Sequence, residues 1–139
     1  MSRASITVVV LLLLTFGHGI AAQEVDPQIR KLQQQRAKVL RQSILLLRDQ
    51  YAEGTVTAEQ LVKTHVELAA ADLELAETGA DRLKALTDQR RMLAGLEEAA
   101  MARLRAQTAT QSEVLTVRAA RLKLDIEILR EKAKQKAAK

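Results

Sequence analysis

Cysteine is absent from this sequence, tryptophan is absent, and the only aromatic side chains are Phe16 and Tyr51. Without cysteine there is no disulfide framework, no thiol nucleophile, no thiolate metal site and no lipid-modified N-terminal cysteine. With one aromatic after residue 22, there is almost nothing on which nucleic-acid bases could stack, so an excess of 22 basic over 17 acidic side chains does not point to nucleic acid. Strand patterning is missing as well. No stretch after residue 22 alternates apolar and polar residues for long enough to make a strand.

The motifs of chemistry are equally sparse. His-Glu-x-x-His, a glycine-rich phosphate loop and an Asp/Asn-rich calcium loop are all lacking. Ser43 and Ser112 are not in nucleophile-elbow sequences. The neighbours Glu97 and Glu98 point about 100° apart on a helix, which does not make a carboxylate dyad. His65, the one histidine after residue 22, has Asp72 two turns away, and a lone helical histidine reads as a surface or interface residue. The expectation is therefore a protein that is not an enzyme, with no catalytic residues, cofactor or metal.

What is present begins with an N-terminal segment laid out as a secretory signal. Arg3 supplies the positive end, Ile6 to Phe16 the apolar run, and glycine and small residues follow it, so that a signal peptidase would cut after Ala22 or Ala21. A membrane anchor is the competing reading, but a span needs roughly 20 apolar residues and this run falls short even when extended to Ala22. Residues 1–22 are thus expected to be a signal peptide, and residues 23–139 a single periplasmic or secreted domain.

Leu, Ala, Glu, Lys, Arg and Gln dominate that domain, a composition suited to long paired helices. Asp26 and Pro27 read as the cap and first position of a helix whose apolar stripe is Ile29, Leu32, Leu40, Ile44, Leu47 and Tyr51. A turn follows. Gly54 sits just past the last helical turn, and Thr57 and Gln60 form a capping box flanked by Val56 and Leu61 at the staple positions.

A shift of 53 residues places 104 LRAQTATQSEVL 115 on 51 YAEGTVTAEQLV 62, with Thr110 as N-cap, Glu113 completing the box, and Ala109 and Val114 as the staple. Thr55, Thr57, Asp72 and Glu74 match Thr108, Thr110, Asp125 and Glu127, although Gln107 replaces the glycine. This reads as an internal repeat. A softer break at Thr78 to Asp81, another capping box, leaves open whether residues 58–107 are one helix or two. The predicted helices are about 27–53, 58–77, 79–107 and 111–134, in repeat halves of about 27–77 and 79–134. The predicted fold is all-α, elongated antiparallel hairpins packed as a coiled-coil-like bundle.

The pattern Tyr51-x-x-Gly54-x-Val56-Thr57-x-x-x-Leu61, followed by 65 HVELAAADLELA 76, resembles the repeat of TolC-like outer membrane efflux proteins. In that family a tyrosine-and-glycine corner leads into a Leu/Ala/Glu-rich helix twice per chain. The resemblance covers residues 44–77 and, more weakly, 97–130. It departs from the family in lacking the alternating strands of about 9 to 11 residues that a membrane barrel requires, so an efflux channel by itself is excluded. What the resemblance implies is a free-standing helical portion that packs against itself or against an envelope complex.

Charge indicates how the helices pair. Residues 51–81 carry seven acidic side chains against Lys63, while the first helix is basic through Arg30, Lys31, Arg36, Lys38, Arg41 and Arg48. Antiparallel pairing of the two is the simplest outcome. The tail 130 REKAKQKAAK 139 reads as a solvated, fraying end, and its five basic residues are the minimum for weak attraction to an anionic membrane surface.

In the last helix, Leu115, Leu122, Ile126 and Leu129 share one stripe and Val114, Val117, Leu124 and Ile128 an adjacent one, more apolar surface than one neighbouring helix covers. The first four are the expected interaction face, toward a second copy or an envelope partner. Two further readings are a periplasmic holdase resembling the Skp/OmpH chaperones, without their strands, and a Spy-type chaperone, whose Leu-Thr-x-x-Gln motif is one residue short at 86 LTDQ 89.

Overall fold

A computed structural model describes residues 26–138; the expected signal peptide lies outside the described residues. Four helices run α1 Pro27–Ala52, α2 Ala58–Leu75, α3 Gly79–Arg105 and α4 Gln111–Ala137, and no strand occurs among the described residues. The protein is an all-α bundle of two antiparallel hairpins, α1–α2 and α3–α4. Helix α2 is central, packing on the other three, whereas α1 packs on α2 alone along most of its length.

Each helix start is fixed by a side chain. Asp26 Oδ1 accepts from Gln28 N–H at 2.7 Å. Thr57 and Gln60 close their box in both directions at 3.0 and 3.4 Å. Thr78 and Asp81 do the same, each bond 3.1 Å, so α2 and α3 are separate helices. Gly79 lies where α4 crosses the start of α3: its carbonyl accepts from Gln135 Nε2 at 2.6 Å, and a Cβ there would meet the Gln135 side chain at 3.0 Å.

Both hairpins turn through the same backbone. At the first, Gly54 has φ +78°, its N–H donates to Tyr51 O, and Thr55 N–H donates to Gln50 O. At the second, Gln107 has φ +60°, its N–H donates to Leu104 O, and Thr108 N–H donates to Arg103 O. These are two Schellman caps. Thr55 and Thr108 add the same hydroxyl bond, to Gln50 O at 3.0 Å and Arg103 O at 3.2 Å.

The core uses a stricter spacing on α1 than the sequence stripe suggests. Ala37, Ile44 and Tyr51 are buried, Gln33, Leu40 and Leu47 half-buried, all at steps of three and four. Ile29 and Leu32, expected in that stripe, are more than half exposed because they lie one position off this row. Leu61, Leu68, Leu86, Leu93, Leu96, Val117 and Leu124 supply larger side chains of the core on the other three helices. Burying one such side chain contributes about 1.5 to 3 kcal/mol.

Ion pairs align the hairpins. Arg30–Glu77 at 2.6 Å, Arg36–Glu74 at 3.2 Å and Arg41–Asp72 form an antiparallel ladder between basic α1 and acidic α2. Arg82–Glu131 and Arg90–Asp125, each 3.0 Å, do the same between α3 and α4. The matched residues Asp72 and Asp125 thus each hold an arginine of the preceding helix. The expected fraying tail is instead helical to Ala137, because Glu131 and Gln135 anchor it on α3.

Candidate functional site

The corner residues come together at one end of the bundle, and Arg103 joins the two corners. Its guanidinium lies 4.3 Å from the centroid of the Tyr51 ring, donates to Tyr51 O at 2.6 Å and donates to Thr108 O at 3.0 Å. A cation on an aromatic face contributes about 0.5 to 2 kcal/mol. The two carbonyls belong to the C-terminal end of α1 and to the second turn, where positive charge is favoured. Tyr51 is buried and borders a groove between α1 and α3. Val56 packs at the edge of the core and Leu61 within it, while Gly54, Thr57 and Gln60 stay at the surface.

At the second corner, Thr110 Oγ1 accepts from Glu113 N–H at 3.2 Å, but Glu113 does not return a bond to Thr110 N–H as expected. Its carboxylate is drawn inward instead. Glu113 Oε2 and Tyr51 Oη are both buried, and neither makes a hydrogen bond of good geometry. Burial pushes the Tyr51 hydroxyl up from its ordinary value, the Arg103 charge opposes this, and the Glu113 charge adds to it. The competition for Glu113 between cap and junction has no counterpart at Gln60.

Between α1 and α3, which do not touch along their middle portions, runs an apolar groove of about 500 Å³. Ile44, Tyr51, Leu61 and Leu96 line it, Gly95, Ala99 and Ala102 form its α3 wall, and Arg48 and Arg91 stand at its rim. His65 also borders it. The ring is buried, not at the surface, and its Nδ1 lies 3.1 Å from Gln89 Oε1 of α3. Burial lowers its pKa from the ordinary 6.5, and the Gln89 contact only partly offsets this.

Glu97 is a buried group that its adjacency to Glu98 concealed. Arg118 Nε and Arg121 Nε of α4 each donate to it at 2.6 Å, and those two bonds hold its carboxyl below the usual carboxylate range. Its signal in the sequence would have been the arginine pair three apart on the facing helix. This cluster is a structural clamp, since both oxygens are occupied. Among the described residues no group of three or more His, Asp or Glu side chains is placed to hold a metal ion, and no helix is long and apolar enough to cross a membrane.

The four residues of the expected interaction face all lie outward on α4. Leu115, Leu122, Ile126 and Leu129 are each about half exposed or more, whereas Val114, Val117 and Leu124 are in the core. On α1, Leu32, Val39, Leu45 and Leu46 are also exposed. Comparison with protein-family models, curated proteins and solved structures found no match to the chain.

Proposed function

We propose that this chain is an exported, non-enzymatic helical packing module of the cell envelope, similar to the helical repeat of TolC-like proteins, which docks on other helices. The observation that carries this reading is the row of exposed large apolar side chains on the outer face of α4, with a second set on α1. Contiguous apolar patches beyond a few hundred Å² are uncommon on soluble monomers and mark interaction surfaces. The buried clusters support it too: the charges of Glu97 and Glu131 are taken up by arginines of the facing helix.

Light scattering of the purified protein across concentration, together with co-purification from the envelope fraction, tests the reading. An oligomer or a stoichiometric envelope partner is expected. A monomer at every concentration with no partner removes its basis.

The open groove between α1 and α3 favours a second reading, a holdase that shelters apolar segments of unfolded clients. Suppression of aggregation of a denatured outer membrane protein at near equimolar ratio distinguishes it from the packing module.

A further inference from the structure

The outer face of α4 carries one row, Leu115, Ala119, Leu122, Ile126, Leu129 and Ala133, at alternating steps of four and three, every member exposed. It extends roughly 27 Å at 1.5 Å per residue and no charge interrupts it. The core-facing row lies almost opposite on the same helix, through Val117, Leu124 and Glu131. We propose that this outer row docks a partner helix whose own apolar seam is flanked by acidic side chains. The inference rests on the packing-module reading and names the partner's chemistry.

Spacing argues for a helix. A strict three-four row is the narrow seam of a coiled coil, whereas a helix lying in a bilayer surface needs a broader apolar arc. Leucine recurs at every seventh position and Ala119 and Ala133 alternate with it, so a second backbone can approach closely.

The flanks select the partner's charge. On one side stand Lys123 and Arg130, on the other Lys132, all exposed. Arg118 is engaged by Glu97, and the one acidic flank, Asp125, is held by Arg90 and Arg121. Arg130 pairs only with Glu127 of its own helix, at the surface. A second copy is a poor occupant. Laid antiparallel on itself, the row sets Lys123 and Arg130 against their counterparts; laid parallel, it sets Arg118 against Lys123, and the one opposite-charge pair, Asp125 with Arg130, draws on a carboxylate already held by Arg90 and Arg121. Acidic side chains at the partner's flanking positions meet these same residues favourably.

The test uses a labelled three-heptad probe peptide with Leu and Ala on its seam and Glu at both flanks, and a control peptide with Lys there. Fluorescence anisotropy with the purified protein should show the Glu-flanked probe binding on the order of tenfold tighter, with affinity falling as salt rises. Leu122→Asp with Ile126→Asp should abolish binding while circular dichroism stays unchanged, both residues being exposed. Lys123→Glu with Arg130→Glu and Lys132→Glu should reverse the preference toward the Lys-flanked probe, a result that misfolding cannot produce.

Equal binding of the two probes, or of neither, overturns the proposal. If neither binds but the protein oligomerises, the inference falls while the packing module stands. Binding to phosphatidylglycerol vesicles with no probe binding likewise overturns it and points to a membrane face. A monomer that binds nothing overturns both readings.

Discussion

Gly54 and Gln107 occupy the same position in two Schellman caps, with φ of +78° and +60°, yet only one of them is glycine. A residue with a Cβ in this left-handed region carries about 1 to 2 kcal/mol of strain. Glycine removes that strain but gives back about 0.4 to 1 kcal/mol through the greater freedom of the unfolded chain. Gln107→Gly should therefore stabilise by about 0.5 to 1 kcal/mol, and Gly54→Ala should destabilise by a similar amount. Steric terms do not obscure the comparison. A Cβ on Gly54 would meet only Arg103 Nη2, at an ordinary 3.6 Å, and Gln107 is exposed. For a domain of this size the shifts amount to roughly 2 to 6 °C in Tm, of opposite sign. Thermal and urea unfolding followed at 222 nm measure both. If Gln107→Gly lowers Tm alongside Gly54→Ala, the two corners do not share a conformation and the repeat is not structural.

Arg103→Ala should cost about 2 to 3 kcal/mol, since it removes a cation from the Tyr51 face and strips donors from two carbonyls at the joined corners. Arg103→Lys should recover less than half of this, and unfolding in urea compares the two. Stability should also fall on mild acidification. His65 has its pKa lowered by burial, so between that value and 6.5 the unfolded chain binds the proton and the native state does not; stability is complete above pH 6.5 and declines below it. His65→Gln should flatten urea midpoints between about pH 5 and 7, with the ordinary histidine value setting the upper limit. It should leave the separate loss that sets in as the pH falls below 4.5, the ordinary value of Glu97, whose carboxyl the two arginines hold lower in the folded protein.

The ends of helices were the most legible part of this sequence, because caps depend on near neighbours. Asp26, Thr57, Thr78 and Thr110 each cap where the chain says they should, and the all-α class follows from periodicity alone. Long-range pairing was less legible. Nothing local distinguishes Glu97, clamped by two arginines of α4, from exposed Glu98 beside it. For His65 the sequence left surface and interface open for the same reason, its partner Gln89 lying on another helix. On α1, Ile29 and Leu32 obey helical spacing as well as the true core row does, and only the position of α2 decides which row is buried.

The loss of glycine at the second corner becomes intelligible through Arg103. Its repeat counterpart is Gln50, which makes no such bridge, so the arginine is a feature of one corner that serves both. Its bond to Thr108 O braces the second turn, and its bond to Tyr51 O ties that turn to the first. The two corners thereby become one unit at the end of the bundle. The strain at Gln107 can then be carried without loosening the hairpin, and the outer row of α4, which starts at Leu115 just beyond that turn, is held in a fixed orientation. If the Arg103→Ala protein keeps its helicity but loses binding of the Glu-flanked probe, that orienting role follows; if binding is unchanged, the corner supports stability only and α4 presents its face without it.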